Sequence, residues 1–260
     1  MARAVGRVGL VALVLGAVAA LLWLAVAPAE SADPGALWRV VRGLCVTDMR
    51  LTGHPAPCAR VDLAKGYAVV NDISGGTQLL AVPTSRIPGI ESPALLRADA
   101  PNYWQDAWDA KPLFERRAGR DVPREDLALA INSVDGRTQD QLHIHIDCVR
   151  RGIRRLLDKM QGRIGDHWAD FDIGDVRRHY RAMRVEGADL GDRDPFKLLA
   201  DDPRARADMG RETMAVIGTV FADGRPGFIL LADQADWTRF DKGTAEDLMD
   251  HRCKILRDGT

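Results

Sequence analysis

The stretch Gln141-Leu142-His143-Ile144-His145-Ile146-Asp147-Cys148 alternates polar and apolar residues without a break. A strand repeats every two residues, so Gln141, His143, His145 and Asp147 share one face, and Leu142, Ile144, Ile146 and Cys148 share the other. The apolar face is expected to meet a core. The polar face carries two imidazoles about 6.5 to 7 Å apart along the strand. Such a pair suits phosphoryl chemistry. One ring attacks phosphorus, and its neighbour donates a hydrogen bond to a non-bridging oxygen. A histidine with a pKa near neutrality is partly unprotonated and competent to attack. Two other uses compete with this one. The face can be a strand surface with no chemical role. The pair can also ligate a metal in a His-x-His-x-Asp-His pattern, but here Cys148 follows Asp147 and that pattern lacks its last ligand.

Working outward, residues 127–131 read as a strand paired with this one across the polar loop 132–140, and residues 150–161 read as a helix. Upstream, strands at 66–70 and 78–82 flank the turn Asp72-Ile73-Ser74-Gly75-Gly76, which makes a hairpin. Residues 102–117 have helical spacing in Trp104, Trp108 and Leu113, with Pro112 expected to kink or break the helix. Trp104 and Trp108 lie four apart on one helix face and are expected to pack in the core, with docking at the bilayer interface as the alternative. Residues 36–46 read as a short helix, and 214–221 with 227–232 as a hairpin around Asp223-Gly224. Thr244 with Asp247 resembles a capping box that opens a last helix ending at Leu256. The sum is an α+β fold, an antiparallel sheet with helices packed on it.

The chain has 260 residues, 46% hydrophobic and 28% charged, a globular rather than a disordered composition. A net charge of -1 gives no basic field and argues against a nucleic-acid partner. Residues 8–27 carry no charge. At about 1.5 Å per residue they would span roughly 30 Å, the thickness of a bilayer core. Arg3 and Arg7 precede the run, and Glu30 and Asp33 follow it, which places the N-terminus in the cytoplasm and the rest outside. The competing reading is a cleaved signal peptide, with Ala25-Val26-Ala27 as a small-residue cleavage pattern. Either way the domain is exported. The expected location is the inner (plasma) membrane, single-pass, with the catalytic domain on the extracytoplasmic side. The four cysteines fit export and favour two disulfides. Cys45 and Cys58 lie close in a Gly- and Pro-containing loop, and Cys148 with Cys253 would then form a long-range link; spacing alone leaves three pairings open.

The segment around His143 resembles the histidine-triad superfamily of nucleotide hydrolases and transferases, whose motif is His-φ-His-φ-His-φ with φ apolar. The hairpin Val69-Val70-Asn71-Asp72-Ile73-Ser74 and Leu79-Leu80-Ala81-Val82-Pro83-Thr84-Ser85-Arg86-Ile87 resembles that superfamily's nucleotide-binding hairpin, and Asn132 with Gly136 and Gln139 its phosphate-side loop. Within the superfamily the whole chain is most similar to the CDP-diacylglycerol pyrophosphatases. Pro83-Thr84-x-Arg86-Ile87, Gly89-x-Glu91-Ser92-Pro93, Gly136-Arg137-Thr138-Gln139 and the closing Asp250-His251-x-Cys253-x-Ile255-Leu256 carry that likeness.

The resemblance implies a histidine-triad-like antiparallel sheet with packed helices, preceded by one transmembrane helix. It divides the chain into an anchor at 1–30, a catalytic core at 31–160 and a C-terminal α+β region at 161–260. It implies His143 as nucleophile, His145 as the ring that hydrogen-bonds phosphate or protonates the leaving oxygen, and Asp72 on the ribose hydroxyls. Asn132 and Gln139 would contact phosphate oxygens, and Arg86 the distal phosphate. Gln141 stands where the first histidine would be. It can accept and donate hydrogen bonds but cannot take up a proton. The substrate implied is CDP-diacylglycerol, cleaved to CMP and phosphatidate, with membrane lipids as partners, no cofactor, and an oligomeric state left open between monomer and homodimer. The alternatives are a hydrolase of soluble nucleotide pyrophosphates and a non-catalytic module that binds nucleotides or lipids. His251 is read as structural because it neighbours Cys253.

Overall fold

The central strand of the molecule is the histidine strand. In the computed structural model, which describes residues 33–72, 76–175 and 177–257, it is β5, Ile144–Val149. It begins three residues later than the alternation alone suggests, so Gln141, Leu142 and His143 lie just ahead of the ladder. Nine further strands complete one sheet: β1 (Arg60–Asp62), β2 (Tyr67–Asn71), β3 (Leu79–Pro83), β4 (Leu127–Ile131), β6 (Ala169–Asp170), β7 (Arg181–Glu186), β8 (Glu212–Val220), β9 (Pro226–Gln234) and β10 (Met249–Asp250). Their order is β1-β2-β3-β5-β4-β8-β9-β7-β6, with β10 pairing only with the end of β5. Each pairing is antiparallel, and the two expected hairpins appear as β2–β3 and β8–β9. The tip of the first hairpin, residues 73–75, lies outside the described residues.

The two faces of β5 separate as its period demands. Leu142, Ile144, Ile146 and Cys148 join the main core with Trp104, Trp108, Phe114 and Phe228. Pro112 does not kink a single helix. It opens the second of two short ones, Tyr103–Trp108 and Lys111–Ala118, where a proline near the N-terminus costs no hydrogen bond. Trp104 and Trp108 are buried by that pair, and Trp108 meets Phe228 edge-on at 4.8 Å. The opposite sheet face holds a second core of small and aliphatic side chains, among them Ala128, Ala130, Ala215 and Leu248. Ala130 and Ala128 of β4 stand opposite His145 and Asp147 in the ladder.

The fold class is corrected to an antiparallel sheet with helices: among the described residues no helix is long and apolar enough to cross a membrane. The helix Arg151–Met160, for instance, is 10 residues long and charged, about 15 Å at the helical rise, half a hydrocarbon core. The expected transmembrane helix falls on residues 8–27, outside the described residues. The expected last helix does not form. Residues Ala245–Leu248 make one 3₁₀ turn, after which the chain straightens into β10. Pairing of Met249 with Val149 and of Asp250 with Cys148 claims the backbone groups that a helix would have used. The Cys148–Cys253 bond then fixes the chain end against β5. The second disulfide joins Cys45 and Cys58, which ties the N-terminal helical stretch (Ala36–Trp38, Arg39–Cys45 and Val46–Thr52) to the loop before β1.

Candidate active site

His145 sits mid-sheet, paired with Leu80 of β3 on one side and Ala130 of β4 on the other. His143 lies one pleat earlier, and the two rings meet edge-to-face with centroids 4.9 Å apart. That is closer than two residues of strand rise, because the rings lean toward each other. Both side chains are buried, at 7% and 6% exposure. Burial disfavours the charged form, so both imidazoles are pushed below the usual histidine range, His145 to about 4. Both rings are therefore neutral at neutral pH.

The tautomer of His143 follows from its partner. Its Nδ1 lies 2.7 Å from the carbonyl oxygen of Gln141. A carbonyl can only accept, so Nδ1 carries the proton and Nε2 keeps its lone pair. Gln141 thus orients His143 through its main chain. Its side chain points elsewhere and donates to the carbonyls of Pro83 (3.1 Å) and Ser85 (2.9 Å).

The histidine face is roofed by the C-terminal segment. Ala245 N–H donates to Thr213 Oγ1, which in turn donates to the Ile131 carbonyl. This hangs Glu246 over the strand. The Glu246 carboxylate lies 3.3 Å from His145 Nδ1 and 3.5 Å from His251 Nε2, both measured to the same oxygen, Oε1. The His145 contact has ion-pair distance without the alignment of a hydrogen bond. Gln78 Nε2 donates to Oε1 at 2.9 Å and Asn132 Nδ2 to Oε2 at 3.1 Å. Burial pushes the Glu246 carboxyl up, but His145 and the two amides outweigh it and hold it below its ordinary value. His251 Nδ1 donates to Asp147 Oδ2 at 2.9 Å, and that bond raises the His251 pKa despite partial burial.

Of the residues singled out from sequence, His143, His145, Gln141 and Asn132 come together here. Asp72 lies within electrostatic reach of His143, His145 and His251 and favours their charged forms. Gln139 and Arg86 are engaged by the first helix. Gln139 Oε1 accepts the Leu37 N–H at 2.8 Å, and the Arg86 guanidinium stands 5.6 Å from the Trp38 ring centre. Three residues of the site went unread in the sequence: Glu246, His251 as a site residue, and Arg137. Arg137 is clamped by both oxygens of Glu91 and by Asp140, and it acts electrostatically on His143. A signal for the first two existed, since a bond between Cys148 and Cys253 brings the closing motif to the histidine strand.

A buried histidine pair with one free Nε2, a carboxylate behind it and a clamped guanidinium nearby can support nucleophilic and proton-transfer chemistry. Residues 32–257 match the family model described as CDP-diacylglycerol pyrophosphatase. The chain belongs to the CDP-diacylglycerol pyrophosphatase family. A family relative from Yersinia pestis, named CDP-diacylglycerol pyrophosphatase, is 39% identical over 222 residues, which is 85% of this chain and 84% of the relative. The family match covers β1 to β10, so the roof that carries Glu246 and His251 is as much part of the family as the histidine strand.

Proposed function

We propose that this protein hydrolyses the pyrophosphate of CDP-diacylglycerol to CMP and phosphatidate, with His143 as the nucleophile. The observation that carries the reading is the Nδ1 contact of His143 with the Gln141 carbonyl at 2.7 Å. It leaves Nε2 as an uncharged, directed lone pair in a site where burial favours the neutral ring. His143 Nε2 attacks the cytidylyl phosphorus, the P–O bond to phosphatidate breaks, and phosphatidate leaves with the electron pair. Water then attacks the same phosphorus of the CMP-histidine adduct. The P–N bond breaks, its electrons return to Nε2, and CMP is released. His145 stands beside the reacting ring and transfers protons to and from the leaving and entering oxygens. Asp72 binds the ribose hydroxyls, and Arg137 offsets charge building on the phosphates. Asn132 is committed to Glu246 and shapes the site through it.

His143→Ala is the direct test. Turnover of CDP-diacylglycerol in detergent micelles should fall on the order of a thousandfold or more, with a thermal melt close to that of the parent. Retained turnover in that variant would remove His143 from the chemistry.

A further inference from the structure

We infer that Glu246 is the positioning carboxylate of His145, and that His251 holds Glu246 in that task and links it to solvent. The inference rests on the proposed reading of His143 as nucleophile and adds the group that lets its neighbour handle protons.

Burial drives the His145 ring down to about 4 even with Glu246 beside it, and without that carboxylate the ring would be a poorer base still. A ring so placed becomes useful when a carboxylate faces one nitrogen, fixes the tautomer and stabilises the imidazolium that forms on proton uptake. Glu246 faces Nδ1 of His145 at 3.3 Å. Neither nitrogen of His145 has a hydrogen-bond partner in the resting site, so the contact with Glu246 has room to tighten when the ring becomes charged. The charged and titratable groups that face His145 are Glu246, His143, Asp72 and His251. Glu246 is the strongest of them in favour of the charged ring. With the Nδ1 proton turned toward Glu246, Nε2 keeps its lone pair, and no hydrogen-bond partner occupies it.

His251 completes the arrangement. Its Nε2 lies 3.5 Å from the same Glu246 oxygen and its Nδ1 is bonded to Asp147. Its side chain is 45% exposed, whereas His145 is buried. Asp147 Oδ1 accepts from Thr77 Oγ1 at 2.7 Å, which anchors the far end. The order His145–Glu246–His251 therefore runs from the interior to water.

In the hydrolytic step the water oxygen bonds to phosphorus as the P–N bond to His143 breaks. One water proton passes to His145 Nε2. The resulting imidazolium, held by Glu246, gives up a proton through Glu246 and His251 to solvent, or to the leaving phosphatidate oxygen of the next cycle. Atoms and charge balance, since hydrolysis adds one water and sheds the proton by this route.

The experiment uses the full chain, CDP-diacylglycerol labelled in the cytidylyl phosphorus, and rapid acid-free quenching, on the parent and on Glu246→Gln, Glu246→Asp and His251→Gln. Glu246→Gln should lower kcat about 10²-fold with KM changed less than about threefold. Its acid limb in the kcat–pH profile should move to lower pH, because the group that favours charged His145 is gone. The labelled adduct should accumulate. Glu246→Asp should recover at least tenfold of the lost rate, and His251→Gln should lose about tenfold. An unshifted pH profile in Glu246→Gln would overturn the inference, as would equal losses in Gln and Asp variants accompanied by lower melting temperature. Absence of any adduct in the parent protein, with the pH limb still shifted in Glu246→Gln, would count against His143 as nucleophile and leave the Glu246 assignment standing.

Discussion

Gln141 occupies the motif position where a titrating side chain is expected, and its geometry shows what that position supplies. Its carbonyl, which any residue would provide, accepts the Nδ1–H of His143. Its amide secures the two carbonyls at the end of β3. Gln141→His should therefore bring no gain in kcat, whereas Gln141→Ala should cost about 1–3 kcal/mol of stability by leaving buried carbonyls without donors. Urea titration and steady-state rates measure both. Titration of the ring protons by NMR tests the electrostatics. His145 should titrate near 4, and His251 above its ordinary value of 6.5. Because burial lowers the pKa of both His143 and His145, the acid limb of kcat/KM for the free enzyme should lie below the ordinary histidine range. At this scale the alternation of residues 141–148 was enough to find both histidines. Glu246 was not legible, because a single glutamate after a threonine has the same local pattern in a 3₁₀ turn, a helix cap or an active-site roof.

The elements that matter most are those that bring the C-terminal segment to β5. Gly136 lies under this segment. A β-carbon there would come within 2.6 Å of the Gly243 carbonyl oxygen and 2.7 Å of a Thr244 methyl. Gly136→Ala should push the roof outward, lower stability by about 1–3 kcal/mol and reduce kcat more than it raises KM. The Cys148–Cys253 bond closes a loop with a sequence separation of 105. Replacing both cysteines with alanine should lower Tm on the order of 10 °C and reduce turnover, as His251 and Glu246 lose their tether. A melt unchanged by the double substitution would show that β10 pairing alone holds the segment. The expected helix to Leu256 failed for the same physical reason. Thr244 Oγ1 donates to the Asp247 side chain at 2.8 Å but caps no backbone N–H, and strand pairing and the disulfide, both non-local, outweigh a local cap worth about 1 kcal/mol.

Across the whole molecule one sheet carries strands from the N-terminal hairpin to the C-terminal end, and the site lies on its central strand rather than on an edge. The hairpins β2–β3 and β8–β9, β4 and β5 were legible from periodicity and turn residues, and the cysteine count favoured two disulfides while leaving their pairing open. β1, β6, β7 and β10 were not legible. β1 and β6 are 3 and 2 residues long, too short to show a period, and β7 (Arg181–Glu186) carries Arg181, whose buried guanidinium is neutralised by Asp202 and Glu212. A buried arginine breaks the apolar pattern by which an inner strand is recognised. The central claim is that the cytidylyl phosphorus passes through His143. Hydrolysis in ¹⁸O-labelled water, with rapid quenching and peptide mapping of the labelled protein, tests it most directly. The account requires a CMP adduct on the peptide that contains His143, its absence in His143→Ala, and ¹⁸O in CMP alone. Appearance of ¹⁸O in phosphatidate, or turnover without an adduct on that peptide, would contradict it.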